Sequence, residues 1–322
     1  MAEAEKMKIG IVGAGAMGSL FGGRLSQAGH EVILYDIYRE HVETIHKDGL
    51  VIEDLANGKK ETCHPIATTK AEDLQDAQLL IVFVKSAATE AVAHKFSGIA
   101  GKQTIAVTMQ NGLGNEAILK KHFGPERTAA GVTSQGATFL GAGKIRHAGW
   151  GPTHLCMSDR ANEKLESFVA ALNQAGLETD LEENIQDLIW SKLIINVGIN
   201  ALTALTALPN GRLLDYEDCK ALMADLVAEA VNVAGKKGVH LTYDHPLEMV
   251  YQVAEKTGGN RSSMLQDFDR NRQSEIDFIN GAIVREAESM GLDAPANRTL
   301  TRLVRIHDAL RGERPAAPAA QS

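Results

Sequence analysis

Lys8–Val12 is a short β-branched run that leads directly into Gly13-Ala14-Gly15-Ala16-Met17-Gly18, and the residues after it read as helix to Ala28. A strand, a Gly-x-Gly-x-x-Gly loop and a helix, in that order, leave few folds open. Gly13 allows the tight turn, Gly15 lets the backbone come close to a pyrophosphate, and Gly18 lets helix and strand pack. Ala14, Ala16 and Met17 complete a loop whose helix end offers unpaired N–H groups and the positive end of a dipole. The setting predicts a dinucleotide site at the start of an α/β domain. The next strand, Glu31–Tyr35, ends on Asp36. A carboxylate there accepts hydrogen bonds from ribose hydroxyls and repels a 2′-phosphate, which favours NAD(H) over NADP(H). Arg39 is the opposing signal, a cation within reach of a 2′-phosphate.

The alternation of strands and helices continues through the first half. Leu79–Val84 is an apolar run of the interior-strand kind, Thr104–Thr108 reads as another, and the loop Gln110–Gly114 follows it. The Gly-rich stretch Thr128–Met157 is expected to finish the sheet with antiparallel strands. From about Asn184 helical periodicity takes over, over Leu188–Leu208, Tyr216–Lys237, Pro246–Thr257, Ser274–Met290 and Ala296–Leu310. The expectation is an α/β chain: a Rossmann-type dinucleotide-binding domain over 1–183, an all-helical substrate and dimerisation domain over 184–311, and a disordered Pro- and Ala-rich tail over 312–322.

Composition narrows the function classes. Lys+Arg 33 against Asp+Glu 41 gives a net charge of −8, which argues against nucleic acid or anionic lipid as the main partner. A small anionic ligand needs only a local cation and stays open. The 3 cysteines, Cys63, Cys156 and Cys219, have no metal-ligand spacing and fit a reducing compartment, the cytoplasm. Leu188–Leu208 is long enough to span a bilayer, but Lys192 and two Asn at membrane depth would be costly. It is read as a buried helix of a soluble domain, so no membrane partner and no metal are expected.

That same helix is the most informative segment. Lys192, Asn196 and Asn200 recur at i, i+4 and i+8 and share one face, with almost nothing but apolar residues between them. Buried ammonium and amide groups need partners. A ligand with oxygens along its length supplies them, and so would an internal hydrogen-bond network. A second cluster, Gly259–Asp267, is followed by Ser274–Gly281. There Ser262 or Ser263 can cap a helix, and Glu275 and Asp277 form an acidic pair. Read from residues alone, the clusters suggest a cleft without naming a substrate.

These segments carry a resemblance. The glycine loop, Gln110-Asn111-Gly112, Trp190-Ser191-Lys192 with Asn196 and Asn200, Asn260-x-Ser-Ser-Met-Leu-Gln-Asp267 and Glu275-Ile-Asp-x-Ile-Asn-Gly281 resemble, in order, the ketopantoate reductase (2-dehydropantoate 2-reductase) family. The likeness runs to about residue 310. It implies a Rossmann domain joined to a helical domain with the active site between them, and nicotinamide-dependent reduction of a 2-keto acid to the 2-hydroxy acid in pantothenate biosynthesis. By position, Lys192 matches the family's general acid, Glu275 its active-site carboxylate and Asn111 a residue near the nicotinamide. Asn196, Asn200, Asn260 and Ser263 match substrate-side groups, and Lys85 matches a cofactor-side lysine. One position departs: Tyr35-Asp36-Ile37 stands where the family usually has a basic residue for NADP(H). A homodimer is a further expectation. The competing readings are a 3-hydroxyacid dehydrogenase, a non-catalytic NAD(H) sensor and a related 2-keto acid reductase of other substrate. The motifs after residue 259 disfavour the first, and the pairing of Lys192 with Glu275 disfavours the second.

Overall fold

A computed structural model describes residues 6–158 and 163–313. The chain divides into two compact units. One takes in the chain up to Gln110 together with Asn115–Ile185, and the other takes Asn111–Gly114 and the chain from Gln186 onward.

The first unit holds twelve strands among its described residues: β1 Lys8–Val12, β2 Glu31–Tyr35, β3 Leu50–Asp54, β4 Lys60–Cys63, β5 Ile66–Thr68, β6 Leu79–Val82, β7 Ile105–Thr108, β8 Thr128–Thr133, β9 Gly136–Gly141, β10 Lys144–Gly149, β11 Thr153–Met157 and β12 Thr179–Leu181. Its helices are α1 Ala16–Gln27, α2 Arg39–Asp48, α3 Thr89–Ser97, α4 Asn115–Phe123 and α5 Glu163–Gln174. Eight strands form one sheet in the order β12-β11-β8-β7-β6-β1-β2-β5. All its pairings are parallel except β8 with β11. The central strands are apolar on both faces, as a covered parallel sheet requires. Along β6, Leu79 and Ile81 join the core that includes Phe21 and Leu25 of α1, while Leu80 and Val82 join the one with Phe96 and Phe123. Full burial of such a side chain is worth about 1.5–3 kcal/mol, and truncating Ile81 to Ala costs about 2–5.

The stretch 128–157 departs from expectation in part. Strand β8 extends the main sheet in parallel and β11 returns antiparallel, but β9 and β10 leave it. They join a second sheet of order β4-β3-β10-β9, in which β10 runs parallel to β3. The reason is apolar: Leu50, Ile52, Cys63 and Ile145 of this sheet are buried with Leu20 and Phe21 of α1. The helix is thereby covered on the side away from the main sheet.

The second unit is helical: α6 Gln186–Thr206, α7 Glu217–Lys236, α8 Pro246–Lys256, α9 Ser263–Asp269, α10 Asn280–Ser289 and α11 Pro295–Ala309. Helix α6 is its core. Trp190, Leu193, Ile194 and Val197 are buried with Leu226 and Ala230 of α7, Val250 of α8, Ile283 of α10 and Val304 of α11. Among the described residues it is the one helix long and apolar enough to cross a membrane, and that composition is accounted for by the packing around it. Ser274–Met290 is not one helix as expected. A 3-10 turn, Ile276–Phe278, is followed by a break at Ile279 (φ −111°, ψ −97°) before α10 begins. Asn280, fully buried, fixes that break by donating through Nδ2 to the Val197 carbonyl (3.2 Å) and to Asn297 (3.0 Å). Of the expected disordered tail, Gly312 and Glu313 lie in a 3-10 turn, and 314–322 lie outside the described residues.

Candidate active site

In the first unit the chain turns sharply at the C-terminal end of β1. Gly13 has φ +99°, and a Cβ there would lie 2.7 Å from the Val84 amide nitrogen. A Cβ on Gly18 would lie 2.0 Å from the Gly13 carbonyl oxygen, so only glycine lets α1 start this close to the strand. Gly15 is different: apart from its chain neighbours, no protein atom lies within 4 Å of where its Cβ would be. It is the exposed N-cap of α1, makes no side-chain cap bond, and is followed by a first turn with no acidic residue. The start of α1 is therefore open at Gly15 and carries the positive end of a helix dipole, the arrangement that takes a phosphate.

Asp36 sits just past β2. One carboxylate oxygen accepts the Tyr38 amide (2.9 Å), an Asx-type turn that sets the carboxylate at the strand end. Arg39 is exposed at the first residue of α2. Lys85 is exposed and opens the short 3-10 turn after β6. Gln110, part of the Gln110-Asn111-Gly112 motif but given no role from the sequence, holds this loop. Its amide nitrogen donates to the Val84 carbonyl (2.6 Å) and to Thr89 (2.8 Å), while its oxygen accepts from Thr108 (2.9 Å). Thr89 donates in turn to Asn115, which donates to Ser86. A polar residue directly after an apolar strand was the available signal.

In the second unit, Asn111-Gly112-Leu113-Gly114 is held by the 3-10 turn before α10. Leu113 donates to the Phe278 carbonyl (2.8 Å), and Gly112 (φ +87°) lies so close that a Cβ would sit 2.3 Å from that oxygen. Lys192 lies half-buried on α6. Withdrawal from water pulls its pKa down to about 8, and the charge of Glu275 pushes it back up. Glu275 is itself 8% exposed, on the residue that starts the same 3-10 turn. The polar stripe continues through half-buried Asn196 to buried Asn200, whose Nδ2 lies 3.4 Å from the Ser263 hydroxyl.

The two adjacent serines divide their work. Ser262 is the N-cap of α9: its hydroxyl accepts from the Leu265 amide (3.1 Å) and from Thr203 (2.7 Å). Ser263 is the one that meets Asn200. Asn260 is exposed, and its carbonyl accepts from the Asn210 amide. Asp277 is not part of an acidic pair with Glu275. It binds Arg305 at 2.6 Å at the surface, while Glu275 is buried. Among the described residues no cluster of His, Cys, Asp or Glu could hold a metal.

A glycine turn at the open start of a helix in a doubly covered parallel sheet, with Lys192 within reach of the Glu275 charge on a helical unit, is the build of the dinucleotide-dependent oxidoreductases. The ketopantoate reductase PanE/ApbA family profile matches residues 9–159, and the ketopantoate reductase PanE/ApbA C-terminal profile matches 184–308. The chain belongs to the ketopantoate reductase family. It is 36% identical over 307 residues to the 2-dehydropantoate 2-reductase of Pyrococcus horikoshii (95% of this chain, 99% of the relative). Against that of Halobacterium salinarum it is 34% identical over 304 residues, covering 93% and 98%. Among solved structures it is similar to a PanE/ApbA family ketopantoate reductase from Ralstonia eutropha JMP134 (TM-score 0.88, 34% identity, 95% and 100% covered). It is also similar to D-mandelate dehydrogenase in a ternary structure with NADH and anilino(oxo)acetate (TM-score 0.87, 30% identity, 95% and 100% covered).

Proposed function

We propose that this chain reduces 2-dehydropantoate, a 2-keto acid, to the 2-hydroxy acid at the expense of reduced nicotinamide dinucleotide, with Lys192 as general acid. The observation that carries the reading is the half-buried Lys192 within reach of the charge of the buried Glu275. Gly13–Gly18, Asp36 and Lys85 would hold the dinucleotide and Asn111 its nicotinamide end. When bound, the cofactor supplies the hydride.

What the protein supplies is the proton and the frame. Reduction leaves negative charge on the former keto oxygen, and an ammonium there stabilises that charge and then delivers the proton. A lysine with a pKa of about 8 is mostly protonated at neutral pH, yet gives up its proton far more readily than one at 10.5. Glu275 keeps the ammonium charged. Asn196, Asn200 and Ser263 donate to the substrate carboxylate and hydroxyl without adding charge, and Asn260 is a further substrate-side group.

Asp36 favours NAD(H), with Arg39 as the contact if NADP(H) is used instead. The likeness to D-mandelate dehydrogenase supports a second reading, an aromatic 2-keto acid as substrate. The three free thiols fit a cytoplasmic enzyme. Leu222 of α7 with Leu303 and Ile306 of α11 are exposed apolar residues suited to a homodimer contact, which sedimentation would test. Steady-state assays with 2-dehydropantoate and phenylglyoxylate, each with NADH and NADPH, test the reading. It expects the highest kcat/KM for 2-dehydropantoate with NADH. No turnover of either acid would contradict it, and preference for phenylglyoxylate would select the second reading.

A further inference from the structure

We propose that His41 is a positioning residue for the phosphate loop, acting through Ser19 as a strut between that loop and the turn joining β9 to β10. This rests on the reading above that the loop holds a dinucleotide. Neither residue is part of the glycine motif, and both are buried, Ser19 completely and His41 to 1% exposure.

The hydrogen bonds fix the direction of the relay. The Gly143 amide donates to His41 Nδ1 at 2.9 Å, so in the neutral ring the proton must sit on Nε2. Nε2 lies 3.2 Å from the Ser19 hydroxyl and donates to it. That leaves the hydroxyl proton for the Ala14 carbonyl at 2.8 Å. Ala14 is fully buried and its neighbour Gly15 is the exposed residue of the cradle, so the strut grips the loop from behind the ligand side.

The far end of the strut is rigid. Gly143 has φ +67°, its carbonyl accepts the Val51 amide at 2.8 Å, and a Cβ there would lie 2.5 Å from Thr44. The ring is boxed by Tyr38, stacked with centroids 6.3 Å apart, and by Phe139, edge-on at 5.0 Å. The charge acting on it is Asp36 at the end of β2. Asp36 and the Ala14 carbonyl favour the imidazolium, but burial outweighs both and holds His41 below its usual value. Around neutral pH the ring is therefore uncharged and the strut intact. As pH falls through the lowered pKa, Nδ1 gains a proton and faces the Gly143 N–H donor to donor, which releases that end.

The test measures NADH affinity of the full-length protein by fluorescence from pH 5.5 to 8, beside amide hydrogen exchange over residues 14–17. Variants are His41→Gln, His41→Leu and Ser19→Ala. Glutamine offers a carbonyl to Gly143 and an amide to Ser19 but does not titrate. Wild type is expected to lose affinity on acidification, His41→Gln to hold near-wild-type affinity without that loss, and His41→Leu and Ser19→Ala to weaken about three- to tenfold at every pH. The kcat at saturating cofactor should not change. Exchange over the loop should quicken in His41→Leu and return to normal in His41→Gln. Wild-type affinity and exchange in His41→Leu, or acid weakening retained in His41→Gln, overturns the strut. Absence of NADH binding by wild type with the exchange pattern as expected would overturn the dinucleotide reading and leave the strut standing.

Discussion

The candidate residues of the first unit and those of the second are built from different material. In the first unit the cradle is backbone: Gly13 and Gly18 are glycine because a Cβ would strike Val84 or the Gly13 carbonyl, and Gly15 leaves open room at an uncapped helix end. In the second unit the candidate residues are side chains, buried Asn200 and Glu275 and half-buried Lys192, among apolar neighbours. A backbone site binds any ligand with the right anionic group and says little about chemistry. A side-chain site sets protonation, and with it the reaction.

The contrast is broken most directly at Lys192. Lys192→Ala should lower kcat by about 10²–10⁴-fold, the usual worth of a general acid, while the NADH dissociation constant stays near wild type. Loss of cofactor affinity in place of turnover would put Lys192 on the wrong side of the comparison. Asn200→Ala should raise KM for the keto acid by about 10–100-fold, as expected for one hydrogen bond to a charged group, again without weakening NADH. Gly15→Ala should do the reverse. No protein atom opposes the new methyl, so thermal stability should hold while NADH affinity falls by about tenfold, or ~1.4 kcal/mol. Unchanged affinity would show that the ligand does not approach there.

Adjacent serines sharpen the same point on a smaller scale. Ser262→Ala removes the cap of α9 and should cost about 1–2 kcal/mol in denaturant unfolding with little effect on KM. Ser263→Ala should affect KM and leave stability almost untouched. Equal behaviour of the two would erase the distinction between cap and substrate contact.

What could be read from the sequence follows the same division. Strand β1, helix α1 and strand β2 were legible nearly to the residue, because glycines, β-branched runs and the stop at Gly29 are local signals. The second sheet was not. The partners β3 and β10 pair Val51 with Lys144, and no local pattern announces a contact so distant in sequence. The break at Ile279 was hidden for a similar reason, since Asn280 is fixed by Val197 and Asn297 from other helices. The stripe Lys192, Asn196 and Asn200 was legible as spacing. Which serine capped α9, and that Asp277 turns to Arg305 while Glu275 stays buried, depended on tertiary packing. The bracing role of Gln110 and the His41–Ser19 pair escaped because polar residues at strand ends and helix starts usually cap turns.

In the proposed reaction a lysine pulled down to about 8 by withdrawal from water, and held up by Glu275, gives the proton. The pH dependence of kcat/KM for keto-acid reduction, in wild type and in Glu275→Gln, tests it most directly. A general acid works while protonated, so reduction should fall as pH rises through about 8. Removing the Glu275 charge takes away the term that raises the pKa, so the falling limb should move to lower pH in Glu275→Gln. A limb that stays in place in Glu275→Gln, or that persists in Lys192→Ala, would contradict the account.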